Sequence, residues 1–479
     1  MKKTLSILLA VVFILTAFTS AFALDKEEWN RYWETAEAQS GVTVFPGSNE
    51  TERNISWYSE TETAEPGVLL TDISAGTSKT FTGKSIKTYD GDYANKVTVT
   101  GLEKGKAYSY QCFSNGYTSE IYSINTQSDN SFSALYVTDV HISEEDGLPD
   151  NVRDESFNFS SVIEAAKSKK NIQLLLSAGD QASRGRECEY KGFTSSALER
   201  SFTVATAPGN HDRKGVAYKY FKNVPNEQTF NINGSYISGD YWFVKGNVLF
   251  MMVDSNSGSG LDHERFMRNA VNANKDVKWR VVVMHHDLYS GRILSRESEN
   301  KLLRAIWAPL YNEFEIDLAL LGHSHYYSVS KVMNNGKIMA DTGKNAVVEN
   351  AEGTVCIVSG SVNRPRTDKP ENMGLNNTCG YIYDEQGDQV LYNIIDFSDD
   401  SIKVNSYSYT NDEIFNTLTL KKDSQKGGHP SAFFTKLYAP VLYTLGTIYQ
   451  FFNNISVYNT LTSTGYDISF FDIVMKFVK

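Results

Sequence analysis

Five apolar runs in this chain each end in a short polar segment rich in histidine and aspartate, and no other feature constrains the fold as much. Residues 135–137 lead into Asp139-Val140-His141, and 172–178 into Gly179-Asp180. Residues 202–207 lead into Pro208-Gly209-Asn210-His211-Asp212, 279–284 into His285-His286-Asp287, and 316–321 into Gly322-His323-Ser324-His325. Of the 8 histidines, five (His141, His211, His285, His323 and His325) stand at these run ends beside Asp, Asn or Gly. Histidines used only for packing would not be distributed in this way. The pattern asks for separate buried strands whose ends converge on one site.

Each segment has a specific chemical capacity. Residues two apart on a strand face the same side, so Asp139 with His141, and His323 with His325, can each address one ion. Asp180 has two carboxylate oxygens and can bridge two cations. Asn210 offers a neutral oxygen to a hard metal. His211 titrates near neutral pH and can donate a proton. Asp212 can hold the His211 ring in one orientation. His285 is the better ligand of its pair, being first after the buried run. Singly, these segments also read as solvated strand ends or helix caps. Together Asp139, His141, Asp180, Asn210, His285, His323 and His325 form a nitrogen and oxygen donor set without cysteine, suited to two ions such as Fe, Mn or Zn. Two ions sharing a carboxylate would sit roughly 3.5–4 Å apart, the spacing that clamps an in-line displacement at phosphorus.

The rest of the 479-residue chain divides around these motifs. Lys2-Lys3, the apolar stretch 5–18 and Ala21-Phe22-Ala23 read as a signal peptide over 1–23, with a mature start at Leu24. The protein is therefore expected to be secreted or at the cell surface. Loss of the two lysines takes the formal charge from -11 to -13, which argues against general nucleic-acid binding. Cys112, Cys188, Cys356 and Cys379 suit an oxidising compartment, and a Cys356–Cys379 bridge is one pairing among several.

A polar helix over 26–38 is expected to precede short alternating strands from 41 to 126, a small all-β sandwich. Thr100-Gly101-Leu102, Gly105 and Tyr108-x-Tyr110 give this segment a resemblance to fibronectin type III modules. From Ser133 apolar runs alternate with helix-like stretches near 157–169, 189–200, 262–273 and 297–314. This predicts an α/β (α+β) domain over 131–410, with two mixed sheets flanked by helices. The segment 431–479 is an apolar C-terminal extension, read as helical, with no charged residue between Leu437 and Tyr466. Membrane or cell-surface contact through this tail is weighed against packing on the catalytic domain. Pro440 and Gly446 favour packing.

In order and composition the motifs resemble those of the calcineurin-like metallophosphoesterases, and the sandwich in front gives a purple acid phosphatase-like arrangement. The resemblance implies a metallophosphoesterase sandwich and a binuclear metal centre. One ion would be held by Asp139, His141, Asp180 and His325, the other by Asp180, Asn210, His285 and His323. A metal-bound hydroxide is the nucleophile in that family, and His211 matches its proton donor to the leaving group. Two departures stand out. Ser183 occupies the place of the tyrosine that colours purple acid phosphatases, and His141 is present where they lack a histidine. The activity implied is hydrolysis of small phosphate monoesters. A phosphodiesterase or nucleotidase on the same core is the alternative, followed by a cell-surface binding protein with an inactive catalytic domain. Arg184, Arg186 and Arg213 lie near the motifs and are candidate phosphate contacts.

Overall fold

The computed structural model describes residues 25–34, 39–144, 149–196, 200–229, 237–289, 297–366, 378–383 and 385–423, with the single positions 441 and 444. The expected signal peptide lies outside the described residues, and so does the C-terminal extension apart from those two positions. No helix among the described residues is long and apolar enough to cross a membrane.

The N-terminal region is a sandwich of two antiparallel sheets. Strands Gln39–Pro46, Glu52–Ser59, Tyr93–Thr100 and Lys84–Lys87 form one, and the other is built on Gly67–Asp72 and Ala107–Ser114. In Ala107–Ser114 every second residue is buried, as a strand with one face on a core requires. Val44, Ile55, Trp57, Val68, Leu70, Val97 and Tyr110 fill the space between the sheets.

The second region is a four-layer arrangement of helices, sheet, sheet and helices. The first seven-stranded sheet runs Thr203–Ala207, Ile172–Ala178, Phe132–Val137, Leu391–Phe397, Ser401–Ser408, Glu413–Lys421 and Ala346–Glu349. The second runs Tyr241–Lys245, Val248–Val253, Trp279–Met284, Leu318–Leu321, Val355–Val358, Ser328–Ser330 and Cys379–Ile382. Alternate residues of the central strands serve different layers. Tyr136, Leu174, Leu176, Phe250, Val281 and Leu320 meet between the sheets. Leu135, Val137 and Leu175 pack outward on Phe159 and Ile163 of helix Pro149–Lys169. Met251, Val282 and Leu321 pack outward on Phe266, Ile306 and Trp307 of the helices Gly260–Ala273 and Glu297–Glu313. Burial on both faces is why these strands are continuous apolar runs.

The motifs fall at one edge of this sandwich because the strands that carry them are parallel. Phe132–Val137, Ile172–Ala178 and Thr203–Ala207 pair in parallel, and so do Val248–Val253, Trp279–Met284 and Leu318–Leu321. Their carboxyl ends therefore lie together. Tyr136 donates its phenol proton to the Leu321 carbonyl and lies 3.2 Å from that of Ile357, joining the two sheets just beneath the site.

The sandwich is seated beside the third motif. Lys96 Nζ donates to the Lys219 carbonyl at 3.0 Å, Asn223 Nδ2 to that of Ile55 at 3.1 Å, and Tyr110 Oη to that of Arg200 at 2.8 Å. Phe45 meets Phe221 edge-on, with ring centroids 5.2 Å apart.

Several local expectations change. The run 241–253 is a hairpin, turned at Gly246-Asn247 with Gly246 at φ 55°. The first sheet continues past residue 410 to Lys421. The Cys356–Cys379 bridge is not formed; the Cys356 thiol is buried in its strand and that of Cys379 donates to the Tyr289 carbonyl.

Candidate metal centre

All seven side chains expected to bind metal meet in one cluster. Three groups bring their ligand atoms within 4.8 Å of one another: Asp139 with His141 and His325, His141 with Asp180 and His211, and Asp139 with Asp180 and His285. Asn210 joins through its Oδ1, 3.0 Å from His285 Nε2, and His323 through its Nδ1, 3.2 Å from the same nitrogen. Asp139 and His323 also meet directly, the His323 amide donating to Asp139 Oδ2 at 2.9 Å.

Strand alternation is not what aims these residues. The strands end at Val137, Ala178 and Leu321, ahead of the ligands. Asp139, His141, Asp180, His323 and His325 all take left-handed backbone conformations, with φ between 51° and 73°. For side chains with a Cβ this conformation costs about 1–2 kcal/mol each, and such strain persists where the surroundings over-determine the backbone. Here the motifs brace one another. The amides of Asp139 and His141 donate to the carbonyls of Gly179 and Asp180 at 3.0 and 2.9 Å.

The contacts inside the cluster do not work as ordinary hydrogen bonds. His325 Nδ1 lies 2.8 Å from the Arg364 carbonyl and His285 Nδ1 3.0 Å from that of Ala178. With those protons assigned, each neutral ring turns a lone pair inward at Nε2. Yet His141 Nε2 is only 3.1 Å from His325 Nε2. Asp139 Oδ1 is buried without a hydrogen-bond partner, 3.1 Å from the same His325 nitrogen. Even with a proton on His141 Nε2, this group of nitrogens and carboxylate oxygens has more acceptors than donors, a shortage that a cation among them would meet. Without an ion, His285 and Asp180 instead meet as an imidazolium–carboxylate pair, a proton taking the place a cation could fill. Burial opposes charge on His285, but Asp180 outweighs it and raises the imidazole to about 9. Burial would raise the Asp180 carboxyl, but His285, with His211 and His141, holds it well below the usual carboxylate range. The donor set fits a pair of borderline metal ions.

Asp212 does something other than expected. Its carboxylate does not reach the His211 ring. Oδ2 accepts from the amides of Asp180 at 2.8 Å and Gly209 at 2.7 Å, and Oδ1 from the Ala182 amide at 3.1 Å and the Tyr190 phenol at 2.7 Å. Burial and the nearby Asp180 charge raise it to about 7. Asp212 therefore ties the second motif to the third, and the tight turn gives it backbone amides within closer reach than the imidazole. His211 is oriented by its own neighbours: Nδ1 lies 2.9 Å from the Ser183 carbonyl, and the Lys214 amine lies 2.6 Å from Nδ1 and 3.2 Å from Nε2. Burial, the His141 ring and Lys214 lower His211 to about 4, with Asp180 opposing them.

His286 is buried behind the cluster, with Nδ1 2.9 Å from Ser255 Oγ. Of the three candidate arginines, Arg213 is buried and donates to the Asn256 carbonyl at 3.3 Å, and Arg186 pairs with Glu144. Sequence reasoning missed Asn256, whose Nδ2 donates to the Pro208 and Gly209 carbonyls at 3.3 and 3.2 Å and so fixes the turn that carries Asn210 and His211. The signal was present, since Asp254-Ser255-Asn256 also closes an apolar run, Val248–Val253.

Gly209 permits a close approach in the site. A Cβ there would stand 2.1 Å from Asp180 Oδ1 and 2.4 Å from the Asp180 amide nitrogen. Gly209→Ala is expected to push the shared carboxylate out of place without removing any ligand. Metal affinity should fall roughly 10- to 100-fold, the range seen when a ligand's support is lost, and stability by about 1–3 kcal/mol through overpacking. Metal titration and thermal melts of the variant measure both.

Residues 132–327 match the calcineurin-like phosphoesterase family, and residues 39–126 match the purple acid phosphatase N-terminal domain. Two uncharacterized proteins of Mycobacterium tuberculosis, from strains CDC 1551 and H37Rv, are 28% identical over 124 residues, 24% of this chain and 22% of each relative. The chain thus spans about a fifth of the length of these curated relatives. Among solved structures, purple acid phosphatase PPD1 from yellow lupin (Lupinus luteus) seeds is similar with a TM-score of 0.66 at 15% identity, covering 81% of this chain and 75% of that one. PhoD is similar with a TM-score of 0.52 at 10% identity, covering 87% and 99%. At these identities the structural likeness is one of fold.

Proposed function

We propose, from a chain that carries a calcineurin-like phosphoesterase domain behind a purple acid phosphatase N-terminal domain, a secreted or cell-surface hydrolase of phosphate monoesters that works with two metal ions. The observation that carries this reading is the inward convergence of imidazole lone pairs and carboxylates, with His141 Nε2 and His325 Nε2 3.1 Å apart. Asp139, His141, Asp180 and His325 would hold one ion, and Asp180, Asn210, His285 and His323 the other. When bound, the ions would supply an acidified water as nucleophile and positive charge for the phosphoryl oxygens.

The chain's own residues do the rest. The Asn210 amide group faces the phosphoryl oxygens. His211 delivers a proton to the departing alkoxide while the Ser183 carbonyl fixes its Nδ1. Asp212 and Asn256 hold the turn on which Asn210 and His211 sit. The low basicity of His211 suits a proton that becomes stable on the ring only beside an anionic phosphate.

Metal analysis of protein purified without chelator, with p-nitrophenyl phosphate, bis-p-nitrophenyl phosphate and nucleotides as substrates, tests the proposal. Two equivalents of Fe, Mn or Zn and a preference for the monoester are expected. Preference for the diester or for nucleotides would favour the alternative chemistry on the same core. Absence of both metal and hydrolysis would leave a binding protein. N-terminal sequencing of the exported chain should begin at Leu24.

Ser183 makes a further expectation. Its hydroxyl lies 3.5 Å from His141 Nδ1, and no phenol stands in its place. The metal-loaded protein should lack the intense visible band of an iron–tyrosinate. A purple preparation would refute this.

A further inference from the structure

We infer that Lys214 is a substrate-positioning residue that takes a terminal oxygen of a phosphate monoester and so favours monoesters over diesters. The inference rests on the hydrolase reading above.

Lys214 is the last residue of the short turn Asp212–Lys214 that follows His211. Its amide donates to the His211 carbonyl at 3.0 Å, which folds the side chain back over the imidazole. The amine comes to rest 2.6 Å from Nδ1 and 3.2 Å from Nε2 of that ring. Nδ1 also faces the Ser183 carbonyl, so the amine lies at the ring edge between Nδ1 and Nε2, beside the nitrogen that a leaving group would need.

Most of the neighbouring cations are already committed; Arg184, whose backbone amide alone donates to Glu189, is the exception. Arg186 pairs with Glu144, Lys191 with Asp92 and Glu187, and Arg364 with Glu155. Arg213 is buried against the Asn256 carbonyl. Among the described residues Lys214 has no carboxylate within 4.0 Å, although the chain is acidic overall. It is partly buried, and burial lowers its amine, with the more distant Asp180 and Glu189 opposing and Arg184 adding to the effect. A half-desolvated ammonium whose contacts are an imidazole is a poor resting arrangement and a good anion receptor.

The substrate's charge decides which ester benefits. A phosphate monoester carries about 1.5–2 negative charges at neutral pH on three terminal oxygens, whereas a diester carries one charge on two. Once two oxygens face the ligand cluster, only the monoester has a charged oxygen left for Lys214. A diester would place an uncharged ester oxygen and its substituent there.

The test compares wild type, Lys214→Met and Lys214→Arg, each loaded with metal, on p-nitrophenyl phosphate and bis-p-nitrophenyl phosphate. Lys214→Met should lower kcat/KM for the monoester about 10- to 100-fold, the worth of a hydrogen bond to a charged group. Most of that loss should appear in KM, with the diester losing about threefold or less and metal content unchanged. Lys214→Arg should recover most of the monoester activity, and inorganic phosphate should inhibit Lys214→Met more weakly than wild type. Equal losses on both esters, no loss on either, or loss of metal from Lys214→Met would overturn the inference while leaving the hydrolase reading intact. Wild type that hydrolyses neither ester would overturn the hydrolase reading first and the inference with it.

Discussion

Asp180→Asn should cost the protein most of its metal and its hydrolytic rate by roughly 10³-fold or more, since the several kcal/mol of transition-state stabilisation that metal ions supply translate at about 1.4 kcal/mol per tenfold. The reason is position. Asp180 Oδ2 lies 3.5 Å from His141 Nε2 and 3.3 Å from His285 Nε2, so it faces both halves of the cluster. Its other oxygen accepts from the His211 amide at 2.7 Å, which fixes the third motif on the second. Asparagine is the discriminating replacement. It preserves shape and tolerates the left-handed backbone at φ 54°, where alanine would add strain. It removes only the charge and one acceptor oxygen. Metal analysis should find one equivalent or fewer where two are expected for wild type, and the melting temperature of the metal-free proteins should differ little. Two full equivalents in Asp180→Asn would show that no carboxylate is shared.

Where the residues of the cluster lie along the chain was legible in the sequence because burial writes it there. A strand covered on both faces is a continuous apolar run, so the first polar residues after it mark the strand end. Parallel pairing then gathers those ends without any further signal. How the side chains are aimed was not legible. The two-residue spacing of Asp139 and His141 suggested strand alternation, but both lie beyond the strand in left-handed turns. Asp212 shows the same limit from another direction. A carboxylate next to a histidine suggests a pair, yet its partners are backbone amides at 180, 182 and 209, which only the folded turn brings within reach. Lys214 is in the same position, being distinguished by having no carboxylate within 4.0 Å among the described residues rather than by any motif. The strand Glu413–Lys421 escaped notice because only Thr417 to Leu420 alternate cleanly, Phe415 and Asn416 being buried side by side, and its pairing on both sides is visible only in the sheet.

His211→Ala should lower kcat for an alkyl phosphate by about 10²- to 10⁴-fold, the range for loss of a positioned general acid, with metal content unchanged. The geometry makes this a separable experiment. His211 is not among the seven residues proposed to hold the ions, and its ring stands edge-on to that of His141 with centroids 4.6 Å apart. The leaving group supplies the sharper readout. An alkyl phosphate leaves as a strongly basic alkoxide and needs the proton, whereas p-nitrophenolate leaves readily without it. The loss in His211→Ala should therefore be much larger for an alkyl phosphate than for p-nitrophenyl phosphate, and p-nitrophenyl phosphate turnover should approach that of wild type. Asp212→Asn should behave differently, because Asp212 braces the Asp180 and Gly209 amides rather than the imidazole. Its effect should fall on metal affinity and stability and be the same for both leaving groups. If Asp212→Asn instead reproduces the leaving-group dependence of His211→Ala, the carboxylate acts through the ring after all. Equal losses on both esters in His211→Ala, with metal retained, would remove His211 from the proton transfer.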